Sequence, residues 1–513
     1  MEDLSFWKNF SSPKYLSYFI IFFANIIGWQ GTLNIINSEG STFNLFIFIL
    51  TSIPLSLLIG KLDNNANNHR KFILIGFIFY IGGFTLKELG TYGFTLINGD
   101  FDSILITVML GIAFGISTVA IGVYFAYISL PKERGKLQGL SYCIVFAFIF
   151  ILPLEYLFLL SIIIICLILF LILYKPLSLS EETSKSIESN SYREVFKHHS
   201  FIYFVVSFLL LLVALPFIQI FFYYGSLPTE FGLIEQYSYF PLLSIFALIG
   251  GFLIDRGRKS MTLALFLILG LGFAIWGIIP ETIALFLPIL VTIWILFGVG
   301  NAFANVFDYI IPSDYASPNS RGKYIALFFI ATNIGLLISI LLQPFIINLP
   351  IATIALIVTF LILCAIIPTI LTTEPLQEAL AKQVDVKGIY VISKDGRCLF
   401  EMSFKDILID VDLITSALSA VGSLIRESIH SEKRLKTIDH GDVKILIEYG
   451  ENVNAAIISD KETPDIRKRL EDFLMVFERF YAKQLSQWAG DIRPFYGAYK
   501  LIEIYFGVYL PQK

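Results

Sequence analysis

Asn301, Asn305 and Asp308 fall four and three residues apart inside a long apolar run, a spacing that puts all three on one face of a helix. Two further polar sets interrupt apolar runs in the same way: Asn25, Gln30 and Asn34 around Trp29, and Gln219 with Tyr223 and Tyr224. Amides and phenols in hydrocarbon surroundings do one of two things. They exchange hydrogen bonds with an uncharged guest, or they tie helices together at about 0.6–2 kcal/mol per bond. Neither is covalent chemistry. No paired carboxylates, Ser-His pair or metal cluster is readable at depth, so an enzyme is not expected, and neither is a metal or another cofactor. Cys143, Cys166 and Cys364 lie in apolar runs and Cys398 in a polar tail, without CxxC or His at ligand spacing.

The elements that carry these residues are long apolar runs. Hydrophobic residues make up 56% of the 513 and include 49 Phe, more than one soluble core needs. A hydrocarbon core of ~30 Å takes roughly 20 apolar residues to cross. Runs of that size predict spans over 14–36, 42–61, 71–88, 103–129, 137–153, 156–174, 200–225, 237–254, 261–279, 282–309, 323–346 and 350–371. Met1 to Ser12 is a short polar lead without a convincing cleavage site, so the first run reads as a retained helix.

Charge divides the chain. From Asp385 onward there are 18 Lys+Arg and 20 Asp+Glu, about half of the chain's 37 and 41. A soluble domain therefore follows the apolar part, and the net charge of -4 speaks against nucleic-acid binding. The expected order is an N-terminal six-helix half over 1–174, a polar linker over 175–199, a C-terminal half over 200–372, a soluble domain over 385–487 and an aromatic extension over 488–513.

An internal repeat supports the two halves. Gly111 and Gly298, Pro131 and Pro318, and the triplets Arg134-Gly135-Lys136 and Arg321-Gly322-Lys323 all stand 187 residues apart. Repeated membrane bundles are the usual build of secondary transporters. The fold class expected is an all-α membrane bundle of twelve transmembrane helices in two pseudo-symmetric six-helix halves, plus a small α+β C-terminal domain. Gly111 with Gly115, and Gly298 with Ala302, predict close helix packing.

Basic loops stay cytoplasmic. One set of loops holds Lys61, Arg70, Lys71, Lys132, Arg134, Lys136, Arg256, Arg258, Lys259, Arg321 and Lys323, whereas the opposite set holds only Lys87 and carries acids instead. Both termini are expected in the cytoplasm, with the chain multi-pass in the cell membrane.

The loop Gly251-Phe252-Leu253-Ile254-Asp255-Arg256-Gly257-Arg258-Lys259 resembles the loop signature of the major facilitator superfamily, one residue shorter than its usual spacing. The first-half counterpart, Gly60-Lys61-Leu62-Asp63 to Arg70-Lys71, is similar but altered by an Asn-rich insert. Such a signature works as a latch at the cytoplasmic end. Asp255 can face the positive N-terminal end of a neighbouring helix, while Arg256 and Arg134 offer charge-assisted hydrogen bonds in the same layer. By the same logic Asp63 would meet Arg321 or the start of the eleventh span. The gate set is Gly60, Asp63, Arg134, Gly251, Asp255, Arg256, Arg258 and Arg321. The alternative is that these charges only set topology.

The resemblance also implies that spans one, four, seven and ten line a central cavity. Polar residues fall on three of those four, which makes Asn25, Gln30, Asn34, Gln219, Tyr223, Asn301, Asn305 and Asp308 the substrate-cavity candidates. Interhelical glue is their other reading. The fourth span adds only Ser117, Thr118 and Tyr124 and lacks the Arg of drug/proton antiporters, and the fifth lacks their Gly-Pro pair. A cavity without fixed charge favours a neutral or amphipathic solute over phosphate esters or dicarboxylates. Asp308 is the only plausible carboxylate for proton coupling, so transport is expected to be either uncoupled or coupled unconventionally.

In the tail, Gly388 to Phe400 reads as strand, Asp395-Gly396 turn, strand. A helix over 412–430, strands over 435–438, 443–449 and 453–458, and a final helix from Pro464 to about Gln484 follow. This order resembles the longin fold, or the related roadblock-like domains, and implies a docking or regulatory platform. Its cytoplasmic protein partner would be one such as a small GTPase. The aromatic stretch 495–508 fits either the membrane surface or the domain's own sheet.

Two functions compete. The first is a secondary-active or facilitative transporter working by alternating access, with a regulatory domain attached. The second is a transport-inactive membrane sensor or scaffold that presents the tail to its partner.

Overall fold

Backbone amides find no water in hydrocarbon and must bond within their own segment, so apolar runs of this length fold as helices. The computed structural model describes residues 12–506, leaving out 39–41, 64–67, 95–98, 152–154, 175–191, 225–228, 279–286, 318–319, 347–348, 382–385, 404–435, 441–442, 463, 487 and 489. Met1–Leu376 form one unit and Gln377–Lys513 a second.

The first unit holds helices α1 (Pro13–Ser38), α2 (Thr42–Leu62), α3 (Asn68–Thr91), α4 (Gly99–Ile128), α5 (Arg134–Ile151) and α6 (Tyr156–Leu173). The short α7 (Tyr192–Lys197) precedes α8 (His199–Tyr224), α9 (Thr229–Ile254), α10 (Arg258–Ile278), α11 (Leu287–Tyr315), α12 (Arg321–Ile346) and α13 (Ile351–Ile370). Eight of these, α1–α4, α6, α10, α12 and α13, are long and apolar enough among the described residues to cross a bilayer. Shorter apolar stretches occur in α8 and α9, at His199–Ala214 and Pro241–Ile254.

Two seams join the early helices to the late ones: α5 packs along α9, and α2 along α12. Glycines allow both. A Cβ on Gly139 would lie 2.5 Å from the Ala247 carbonyl, and one on Gly60 would lie 2.7 Å from the Gly322 carbonyl. The contact is mutual on each side, Gly135 against Gly251 and Gly60 against Gly322. The helices α5 and α12 begin at residues 134 and 321, so each crossing carries one of the repeated Arg-Gly-Lys triplets. The other repeated glycines differ. A Cβ on Gly111 would crowd the Phe48 carbonyl at 2.9 Å, whereas one on Gly298 would meet nothing nearer than Leu242 at 3.5 Å.

The second unit is a five-stranded antiparallel sheet of order β2-β1-β5-β4-β3, built from β1 (Val386–Ser393), β2 (Cys398–Ser403), β3 (Thr437–His440), β4 (Val443–Tyr449) and β5 (Val453–Ser459). The β1–β2 hairpin turns at Gly396, whose φ of 91° suits a residue without Cβ. Helix α14 (Pro375–Ala381) leads toward the sheet, and α15 (Pro464–Phe480) buries Ile466, Leu470, Phe473 and Phe477 beside it. After α16 (Ala482–Ser486), a 3-10 turn (Arg493–Ala498) and α17 (Tyr499–Phe506) return to the same core, where Phe495, Ile502 and Phe506 are buried with Phe473. The aromatic stretch thus packs on its own domain. The helix expected over 412–430 lies outside the described residues.

Candidate functional site: a gate layer and an interior polar face

Helix α9 ends at Ile254, and the next residue reaches across the seam. Asp255 accepts from the backbone amides of Gly135 (2.7 Å) and Lys136 (2.9 Å). These belong to the first turn of α5, whose amides have no partner within their own helix and sit at its positive end. Arg258, fully buried, gathers the rest of the layer. Its Nη1 donates to Asp255 at 2.9 Å, its Nε to Asp314 at 2.9 Å, and its Nη2 to the Pro131 carbonyl at 2.5 Å. Arg134 completes the network by donating to the other oxygen of Asp314 at 2.5 Å. Asp314 is therefore held between two arginines, with no solvent exposure. Glu374 caps α10, accepting from the amides of Arg258 (2.7 Å) and Lys259 (3.1 Å).

Sequence reasoning missed Asp314 and Glu374. Asp314 closes an otherwise apolar helix shortly before the repeated Arg-Gly-Lys triplet, a signal that exists, but its partner Arg134 lies 180 residues away. Arg256, expected in the layer, is exposed, and the buried role belongs to Arg258.

The companion crossing is built differently. Arg321 opens α12 as Arg134 opens α5, yet its guanidinium lies over the Tyr127 ring at 4.3 Å. Asp63 is 1% exposed, and among the described residues neither of its carboxyl oxygens has a hydrogen-bond partner. The pairing expected with Arg321 or the start of α12 is absent, and the Lys323 amide bonds the Ser320 carbonyl instead. The spacing differs as well: Asp255 lies four residues after the crossing glycine Gly251, whereas Asp63 lies three after Gly60. Each stands one residue beyond the end of its helix.

The interior polar candidates separate into two kinds. Asn25 is buried, accepts from Ser117 at 2.6 Å and donates to Thr118 at 3.4 Å, which joins α1 to α4. Gln30 and Asn34 are half-buried. Asn301, Asn305 and Asp308 are also half-buried, although the residues between them on α11 are buried. Asn305 donates to the Asn301 carbonyl at 2.8 Å and to its side-chain oxygen at 3.3 Å. Asp308 accepts from the Tyr142 hydroxyl of α5 at 2.9 Å, so this face looks across the seam and not toward lipid. The side chains of Gln219 and Tyr223 lie outside the described residues.

An aromatic layer separates this face from the charges. Tyr309 sits 6.0 Å from both Phe22 and Phe125 and 5.3 Å from Phe329, while the Tyr18 hydroxyl donates to Gln138 at 2.6 Å. Asp308 and Asp314 are six residues apart on one helix, about 9 Å along its axis. Polar face, aromatic plug and ionic layer thus follow one another along α11.

A helical bundle with a polar interior face closed by charges at one end is the architecture of a multi-pass membrane carrier. The sequence model of the Major Facilitator Superfamily matches residues 200–426. No characterised protein matches by sequence. Among solved structures, a bacterial homologue of the iron transporter ferroportin in its outward-facing state is 15% identical, with a TM-score of 0.53 over 70% of this chain and 98% of that one. The E. coli fucose:proton symporter FucP is 15% identical, with a TM-score of 0.53 over 71% and 98%. The proton:xylose symporter XylE is 14% identical, with a TM-score of 0.52 over 71% and 96%. At these identities the likeness is one of fold. Together with the match over residues 200–426, it supports a transporter of the major facilitator superfamily.

Proposed function

We propose that this chain carries a small, neutral or amphipathic solute across the membrane by alternating access, through twelve spans in two pseudo-symmetric halves. The observation that carries this reading is the bond from Tyr142 of α5 to Asp308 of α11, which aims a half-buried amide and carboxyl face at the seam between early and late helices. Asn301, Asn305 and Asp308, with Gln30, Asn34, Gln219 and Tyr223, supply hydrogen bonds to the solute. Asn25 serves as glue between α1 and α4. The fold is shared with carriers of fucose and xylose and equally with a homologue of an iron transporter, so the neutral-solute reading rests on a cavity poor in fixed charge.

Asp255, Arg258, Arg134 and Asp314 form the inner latch, on the cytoplasmic side where the basic loops place it. Opening requires Asp255 to leave the α5 amides and Arg134 to leave Asp314. The sheet domain acts as a cytoplasmic docking or regulatory module of longin-like build; its five-stranded antiparallel sheet beside α15 supports that likeness. Glu478 accepts from the amides of Glu451, Asn452 and Val453, so the β4–β5 turn is already filled by an internal carboxylate and is no phosphate cradle.

The test is uptake of radiolabelled fucose and xylose into proteoliposomes, alongside a thermal-shift screen of neutral metabolites. Saturable flux, lowered by Asn301→Ala or Gln219→Ala and stopped by Asp255→Ala, is the expected result. Flux that ignores all three changes would defeat the site assignment. Absence of any flux, with specific capture of a small GTPase by the full-length chain, would favour the sensor reading.

A further inference from the structure

Asp63 is the exception in the gate layer. Its counterpart Asp255 receives two backbone amides and a guanidinium, whereas Asp63, just as deeply placed, receives no hydrogen bond at either oxygen among the described residues. A buried carboxylate without donors or a counter-ion is far more costly than a buried carboxylic acid. We propose that Asp63 is a proton-binding site: it takes a proton from water when the α2–α12 crossing is open, and closure buries it as the neutral acid.

The groups around it agree. Tyr127 of α4 and Tyr174 at the end of α6 are near enough to interact with its charge. Each phenol also engages a cation of its own: Arg321 lies over Tyr127 at 4.3 Å and Arg70 over Tyr174 at 5.1 Å. The Tyr174 hydroxyl pairs with Nε2 of His69 at 3.0 Å, and the Tyr192 hydroxyl donates to the Leu57 carbonyl at 2.8 Å, beside Gly60. Lys61 is exposed on the same helix as Gly60, and Lys323 is buried in the first turn of α12. Among the described residues, none of these groups gives Asp63 a hydrogen bond. A hard metal cation would need about six oxygen ligands, and among the described residues no cluster of three acidic, His or Cys groups exists to supply them. Burial alone pushes the Asp63 carboxyl well above the ordinary carboxylate value.

The sign follows from that direction. The closed state holds Asp63 with the raised affinity and the open, wetted state with the ordinary one, so protonation stabilises closure. Full stabilisation holds below the ordinary carboxylate value and is lost as pH rises through the raised one. The proposal rests on the alternating-access reading, and it assigns the coupling proton to the gate and not to the cavity.

The test needs no solute. Lys14 and Arg256, both exposed at the gate end, are replaced by cysteine in a background with Cys143, Cys166, Cys364 and Cys398 removed, labelled with a donor–acceptor dye pair and reconstituted. The closed-to-open ratio should fall with rising pH by up to about tenfold per unit, the limit for one proton. Asp63→Asn should stay closed with no pH response, and Asp63→Glu should keep one. A flat response in the parent protein, a slope that survives Asp63→Asn, or a response to sodium at fixed pH would each overturn the proton site. A single distance at every pH, in the parent and in Asp255→Ala, would overturn alternating access itself.

Discussion

Tyr127 and Asp314 stand 187 residues apart, and each receives the arginine that opens a helix across a seam, Arg321 and Arg134 respectively. Asp314 bridges Arg134 and Arg258, one through each carboxylate oxygen, while Tyr127 gives Arg321 only the face of a ring. One seam is therefore locked by ion pairs and helix-end amides, and the other is held by packing and a cation–π contact.

The two seams should differ in mutational cost. Asp314→Asn leaves Arg134 buried without its ion-pair partner and Arg258 with Asp255 alone, and should lower stability by about 3–5 kcal/mol. Tyr127→Leu should cost only about 0.5–2 kcal/mol. Thermal unfolding in detergent ranks the two. A larger loss for Tyr127→Leu would contradict the asymmetry.

Close backbone approach sets a second expectation. Gly139→Ala drives a methyl against the Ala247 carbonyl and should cost about 1–3 kcal/mol while loosening the α5–α9 seam. Gly90→Ala meets no atom within 4 Å and should stabilise α3 by up to about 1 kcal/mol. Equal melting temperatures for the two variants would refute the packing argument.

Glue and lining separate in a third experiment. Asn25→Ala removes the links to Ser117 and Thr118 and should lower stability by about 0.6–2 kcal/mol without changing the solute concentration at half-maximal flux. Asn301→Ala should raise that concentration and leave the melting temperature nearly unchanged. The opposite pattern would exchange the two roles.

Glu478 offers a test within the soluble unit. Glu478→Ala releases three amides of the β4–β5 turn and should cost about 1–3 kcal/mol. Hydrogen exchange at Glu451, Asn452 and Val453 should speed up while β1 stays protected. Unchanged exchange at those three amides would show that the carboxylate does not order the turn.

Much of this was legible in the chain itself. Apolar runs placed the helices because hydrocarbon forces backbone bonds to close within a segment of fitting length. The Asp395-Gly396 pair placed a hairpin because a tight turn needs a residue at positive φ. The repeated triplets marked the starts of α5 and α12, since a periodic pattern survives in a linear string.

Tertiary structure decided the rest, because a side chain's role depends on which face meets which neighbour. Arg256 and Arg258 are two residues apart, yet Arg256 lies in the turn between α9 and α10 and is exposed, whereas Arg258 opens α10 and is buried between Asp255 and Asp314. Asn25 and Asn301 look alike in sequence, but one is spent on Ser117 and Thr118 while the other borders the seam. Asp63 and Asp255 stand in similar motifs, yet the fold gives Asp255 a set of donors and, among the described residues, gives Asp63 none. Composition names the groups that can bond; only the fold brings Arg134 to Asp314 across 180 residues of chain.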